Sequence, residues 1–82
     1  MPSLPILSGR EVIKVLNAIG YQEVRQRGSH IRLERTSAEE TRAITVPNHR
    51  EIAKGTLNDI INAIANATNR PKTDLIYELR NI

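Results

Sequence analysis

The chain reads as an α+β domain in the order helix, three strands, helix and a short third helix, with the strands in one antiparallel sheet. Two patterns predict this. Apolar residues recur at helical spacing in an early and a late segment, and between them three short segments alternate apolar and polar residues with a period of two. The strand-like segments are also joined by loops too short for a crossover. Neighbours should therefore pair antiparallel, with both longer helices on one sheet face. The length suits one small domain, expected over residues 1–82, with its core in 4–66 and the C-terminal helix at about 70–80.

The first helix is the run "SGREVIKVLNAIGY". Ser8 is a good N-cap, and Glu11 three residues later completes a capping box. Val12, Val15, Leu16 and Ile19 fall at helical spacing, and Ile13 widens the apolar stripe. Gly20 ends the helix, where a left-handed backbone is easily adopted.

A hairpin, "VRQRGSHIRLE", comes next. With Arg27 and Gly28 as the central turn residues, Gln26 faces Ser29, Arg25 faces His30, Val24 faces Ile31 and Glu23 faces Arg32. Alternation then gathers Val24, Ile31 and Leu33 on one side and Glu23, Arg25, His30 and Arg32 on the other. Glu23 and Arg32 form an opposite-charge pair in this register, and a slip of one residue would scramble both faces. Gly28 and Ser29 are read as structural turn residues, with Ser29 on the face away from His30.

"TSAEET" is a polar loop, and "RAITVP" is the third strand. Ile44 and Val46 point inward, Ala43 and Thr45 outward, and Pro47, lacking a backbone donor, marks the strand's end. A loop rich in basic and hydrogen-bonding groups, "NHREIAKG", leads to the second helix, "TLNDIINAIANAT". Leu57, Ile60, Ile61 and Ile64 form its apolar face, Thr56 or Gly55 caps it, and Asp59 suits its first turn. Asn69 is read as the cap of the third helix and Pro71 as part of its first turn, with Leu75, Ile76 and Leu79 available for docking.

Composition excludes several function classes. Without cysteine, neither a disulfide nor a thiolate zinc site is available, which fits a reducing compartment. No apolar run approaches the roughly 18 residues of a membrane span, and the start lacks the pattern of an export signal, so the cytoplasm is expected. Twelve Lys and Arg against nine Asp and Glu give a net charge of +3, which permits a polyanionic partner without establishing one. Distribution says more: Arg25, Arg27, Arg32 and Arg35 cluster around the hairpin. With no Phe or Trp and only Tyr21 and Tyr77, a platform of stacked aromatics for single strands is not supported.

The chemistry-bearing candidate is His30, on the open sheet face. A histidine accepts a proton near neutral pH, and a phosphodiester beside a 2′-hydroxyl needs a base for in-line attack. Arg25, Arg27 and Arg32 would hold the phosphate and stabilise charge developing on its oxygens. Such a reaction leaves a cyclic phosphate and needs no metal. A solvated strand histidine on a charged sheet surface explains the same residues, and the pattern alone does not decide between them. His49, just beyond the third strand, is a candidate second acid/base or positioning residue, or else an ordinary loop histidine. Lys54, before the second helix, is a candidate phosphate contact or a plain surface lysine. A two-histidine metal site lacks a convincing third ligand, and no Ser-His-Asp set, phosphate-cradling glycine loop or paired carboxylates are visible.

Five blocks, "SGREVIKVL", "GY", "RQRGSH", "VPNH" and "KGTLNDII", resemble the HicA family of bacterial and archaeal toxins in order and spacing, and span most of residues 4–61. The resemblance implies a fold similar to a double-stranded-RNA-binding domain. It further implies a small ribonuclease that cleaves messenger RNA and is neutralised by a HicB-type antitoxin. The family's catalytic histidine, in its glycine–serine–histidine motif, falls on His30, and His49 matches a second family histidine. The leading expectation is thus a metal-independent endoribonuclease without a cofactor. A non-cleaving RNA-binding module, using the same face for shape and 2′-hydroxyl contacts, is the alternative, followed by a protein-interaction module that has lost toxicity.

Overall fold

A computed structural model describes residues 4–81; the expected domain limits at 1 and 82 lie outside them. Six elements follow in order: α1 (Gly9–Ile19), β1 (Gln22–Arg27), β2 (His30–Thr36), β3 (Thr41–Pro47), α2 (Lys54–Thr68) and α3 (Lys72–Arg80). The strands form one antiparallel sheet in the order β1-β2-β3. The expected fold class is the one observed.

α1 begins as its sequence dictates. The Ser8 hydroxyl accepts from the Glu11 amide at 3.1 Å, and the Glu11 carboxylate accepts from the Ser8 amide at 2.9 Å. Its end is a Schellman arrangement: Gly20 takes φ 107°, its N–H donates to the Asn17 carbonyl, and Tyr21 N–H reaches the Leu16 carbonyl. Leu16 and Tyr21 are both buried, the apolar pairing that usually accompanies this motif.

Ile31 and Leu33 of β2 and Ile44 and Val46 of β3 turn into one core with Val12, Ile13 and Leu16 of α1 and Leu57, Ile60, Ile61 and Ile64 of α2. Leu75, Ile76 and Leu79 of α3 join the same core. Among the described residues all the helical mass thus lies on one face, and no helix covers the face carrying His30.

The hairpin register differs from the expected one by two positions. Arg27 pairs with His30, Gln26 with Ile31 and Arg25 with Arg32, leaving Gly28 and Ser29 as the central turn residues. Gly28 adopts φ 59° whereas Ser29 does not have a positive φ, the pattern of a type II′ turn with glycine first. The expected register would have forced Arg27 to a positive φ, which an L side chain resists. A shift of two keeps every residue from Arg25 onward on its expected face.

Before Arg25 the ladder is interrupted. Val24 occupies a bulge and is 51% exposed rather than packed on Ile31. Beyond the bulge Glu23 falls opposite Leu33, so the expected Glu23–Arg32 pair does not form. Glu23 instead meets Arg10 at 3.4 Å, and Arg32 meets Glu34 at 3.2 Å.

Two helix limits also move. α2 starts at Lys54 with Ala53 as N-cap, so neither Gly55 nor Thr56 caps it and Asp59 falls past the first turn. Asn69 does not cap α3; it closes α2 in the left-handed conformation, φ 55°, and Pro71 holds the N-cap position of α3.

Candidate active site

The site is a small grid built by strand pairing. In one row His30 lies between Arg27 on β1 and Pro47 on β3; in the next, Arg32 lies between Arg25 and Thr45. Residues two apart on a strand share a face and sit about 7 Å apart, while neighbouring strands are about 4.8 Å apart. The five side chains of Arg25, Arg27, His30, Arg32 and Thr45 line one open depression of about 170 Å³. A second depression beside it is lined by Val24, Arg25, Arg32 and Glu34.

Backbone contacts fix the imidazole's end of the grid. His30 is the first residue of β2, immediately after the turn. The Asn48 amide donates to the Ser29 carbonyl at 2.6 Å, tying the hairpin tip to the end of β3. The Gln26 side chain donates to the Gly28 carbonyl at 3.1 Å and braces the turn from the other strand. Gly28 and Ser29 are thus the central residues of the turn, one position on from the Arg27–Gly28 pair expected from sequence.

Electrostatically the grid is unbalanced. Three guanidinium groups share the depression, and Glu34 is bound to one of them, Arg32. Both members of that pair are partly exposed, so the attraction is worth at most a few tenths of a kcal/mol to about 1. Among the described residues Arg25 and Arg27 make no ion pair. A concave, cationic, solvent-open surface around an exposed imidazole suits a phosphate group, with arginine forks on the non-bridging oxygens.

Not every candidate converges here. His49 is exposed on the loop after β3 and does not line the depression; its backbone carbonyl accepts from the Gly9 amide at 2.9 Å. Lys54 is exposed at the start of α2 and lies outside the lining as well. Arg35, grouped by sequence with the other arginines, points to the helical side. Two residues were not singled out from sequence: Thr45, which completes the lining, and Glu34, which holds Arg32. The period-two alternation that put Thr45 outward was the available signal; only strand pairing shows that it stands opposite Arg32.

Among the described residues no three His, Cys, Asp or Glu side chains gather as an ion would require, and no helix is long and apolar enough to cross a membrane. A family model described as HicA toxin of bacterial toxin-antitoxin matches residues 9–65, from the start of α1 into the last turns of α2. No curated protein and no solved structure matches the chain.

Proposed function

Because the chain belongs to the HicA toxin family of bacterial toxin–antitoxin systems, we propose that it is a metal-independent endoribonuclease that cleaves messenger RNA and is held in check by a HicB-type antitoxin. The observation that carries this reading is the shared depression, where His30 stands among Arg25, Arg27 and Arg32.

In the proposed reaction, His30 removes the proton from a ribose 2′-hydroxyl, and the resulting oxygen attacks the adjacent phosphorus. The P–O5′ bond breaks, leaving a 2′,3′-cyclic phosphate on one fragment and a 5′-hydroxyl on the other. Arg25, Arg27 and Arg32 bind the phosphate and stabilise the charge that grows on its non-bridging oxygens. Every proton transfer is assigned to side chain or water, so the scheme asks nothing of a metal. The leaving oxygen takes its proton from solvent, because His49 lies outside the depression; His49 keeps the place of second acid/base only if bound RNA draws its loop inward. Lys54 is assigned a peripheral contact to the RNA backbone.

The test is incubation of the purified protein with messenger RNA in EDTA. Fragments ending in cyclic phosphate, absent with His30→Ala, are the expected result. Binding without cleavage would replace this reading with the RNA-binding module, and cleavage that EDTA abolishes would overturn the metal-independent scheme.

A further inference from the structure

Among the described residues the sheet has two free edges, and they are treated differently. β1 is broken by the bulge at Val24 and carries charged residues, devices that discourage another strand from pairing. β3 pairs with β2 without interruption from Thr41 to Pro47, and the sheet order leaves its other side unpaired. Its sequence, TRAITVP, has high strand propensity and meets a proline only at the end.

Beside this edge runs a groove against α2. Two adjoining hollows share Ala43, Ile44 and Ala63, and the small side chain at 63 keeps the middle open. At one end lies Tyr21, which is 1% exposed and whose buried hydroxyl has no hydrogen-bond partner among the described residues. A buried hydroxyl normally finds an acceptor, so this one marks a place for a group from outside. At the other end Thr45 lines both the groove and the depression around His30. Whatever lies along β3 therefore reaches the rim of the proposed active site.

We infer that the antitoxin docks by adding an extended strand to the free edge of β3, with apolar side chains set between β3 and α2 and at least one carboxylate turned toward the arginine face. This rests on the toxin–antitoxin reading and adds the surface. Alternation requires such a two-faced strand: every second residue meets the groove at Ala63, and the others meet the sheet face of Arg25, Arg27, Arg32 and His30. On that face a carboxylate on the strand next to Thr45 has only a small side chain between it and Arg32. The same contact that gives affinity then shields the site from RNA.

The experiment uses the full chain and the product of the adjacent reading frame as the candidate antitoxin. In hydrogen exchange, adding antitoxin is expected to slow the edge-facing amides within residues 41–46 by about tenfold or more. Ala63→Lys places a long cation in the groove, and Ala43→Lys places a long side chain on the open face, where the docked strand must lie. Both should leave growth arrest by the free toxin intact yet weaken the complex roughly 100-fold, with loss of relief by antitoxin. Melting of each free variant checks its fold, and should one fail, exchange on the parent protein decides. Unchanged β3 exchange in a formed complex, or full relief of both variants, overturns the inference while leaving the toxin–antitoxin reading standing. Concentration-dependent protection of β3 in the free chain would assign the edge to a second copy and also overturn it. Growth arrest that the adjacent-frame product never relieves, with no complex formed, removes the toxin–antitoxin reading itself.

Discussion

Arg25 and Arg32 stand directly opposite each other across the β1–β2 ladder, on the same open face as His30. Like charges in directly opposed strand positions cost up to about 1 kcal/mol, and the partly exposed Glu34 offsets only part of that. Stability does not explain the pair. The proposed phosphate would, by neutralising both guanidinium groups at once.

Arg25→Gln should therefore leave the protein as stable or raise stability by up to about 1 kcal/mol, while weakening RNA binding. Losing one phosphate contact should also reduce the slope of log affinity against log salt by about 0.7. Titrations at several salt concentrations, with thermal melts alongside, read both effects. A less stable variant with an unchanged salt slope would mean that Arg25 serves the fold instead.

His30 and His49 should separate cleanly. His30→Ala is expected to lower the cleavage rate by at least about 100-fold while RNA binding persists, because the arginines remain. His49→Ala should have a much smaller effect, its ring lying outside the lining of the depression. Single-turnover cleavage on the two variants decides, and equal losses would make His49 the second proton-transfer group.

The parts of this arrangement legible in the sequence are those fixed by local chemistry. Ser8 and Glu11 satisfy each other's backbone groups without outside help, so the start of α1 can be read directly. The faces of β2 and β3 follow from alternation alone. The register around Gly28 was less accessible, because a glycine suits either central turn position and only the paired strand reveals which one it holds. Val24 was misplaced because a bulge is a feature of two strands together. Asn69 shows a similar ambiguity: asparagine suits both the left-handed end of one helix and the cap of the next. Arg35 shares the parity of Ile31 and Leu33, so alternation separates it from the other arginines; only its partners, carbonyls distant in sequence, were hidden.

Arg35 tests that last distinction. Its Nε donates to the Ile19 carbonyl at 3.3 Å and its Nη1 to the Ala67 carbonyl at 3.4 Å, so one guanidinium joins the C-terminal ends of α1 and α2. A cation there also meets the negative ends of two helix dipoles. Arg35→Ala should lower stability by about 1–2 kcal/mol and leave the salt slope of RNA binding unchanged. Arg35→Lys should recover only part of the loss, because a point-like ammonium cannot reproduce the fork. Denaturant unfolding measures the first effect, and a reduced salt slope would return Arg35 to the RNA-binding set.

Gly9 marks the tightest approach between α1 and the end of β3. A Cβ there would lie 2.2 Å from the Pro47 carbonyl oxygen and 2.9 Å from the Asn48 Cα, both backbone atoms that cannot swing aside. Gly9→Ala should cost more than about 2 kcal/mol. It should also impair cleavage, since Pro47 is the cross-strand partner of His30. Gly55→Ala is the control: it meets nothing within 4 Å in α2 and should stabilise by about 0.5–1 kcal/mol. Equal melting of the two variants would contradict the packing argument.

Tyr21 gives the free protein a specific alkaline sensitivity. Burial holds its phenol above the ordinary value of 10.0, an effect opposed but not cancelled by Arg35 and Arg42. The folded state thus keeps its proton where the unfolded chain has begun to lose it. With more protons bound in the folded state, stability falls as pH rises. Tyr21's share of stability is complete below pH 10.0 and is lost as pH climbs through its raised folded value. Tyr21→Phe removes both the ionisation and the unpartnered hydroxyl, so it should match or exceed the parent by up to about 1 kcal/mol at neutral pH. Above pH 10 its stability should decline less steeply than the parent's. Denaturant midpoints measured from pH 7 to 11.5 test this, and parallel curves for the two proteins would show that the phenol ionises as readily in the fold as out of it.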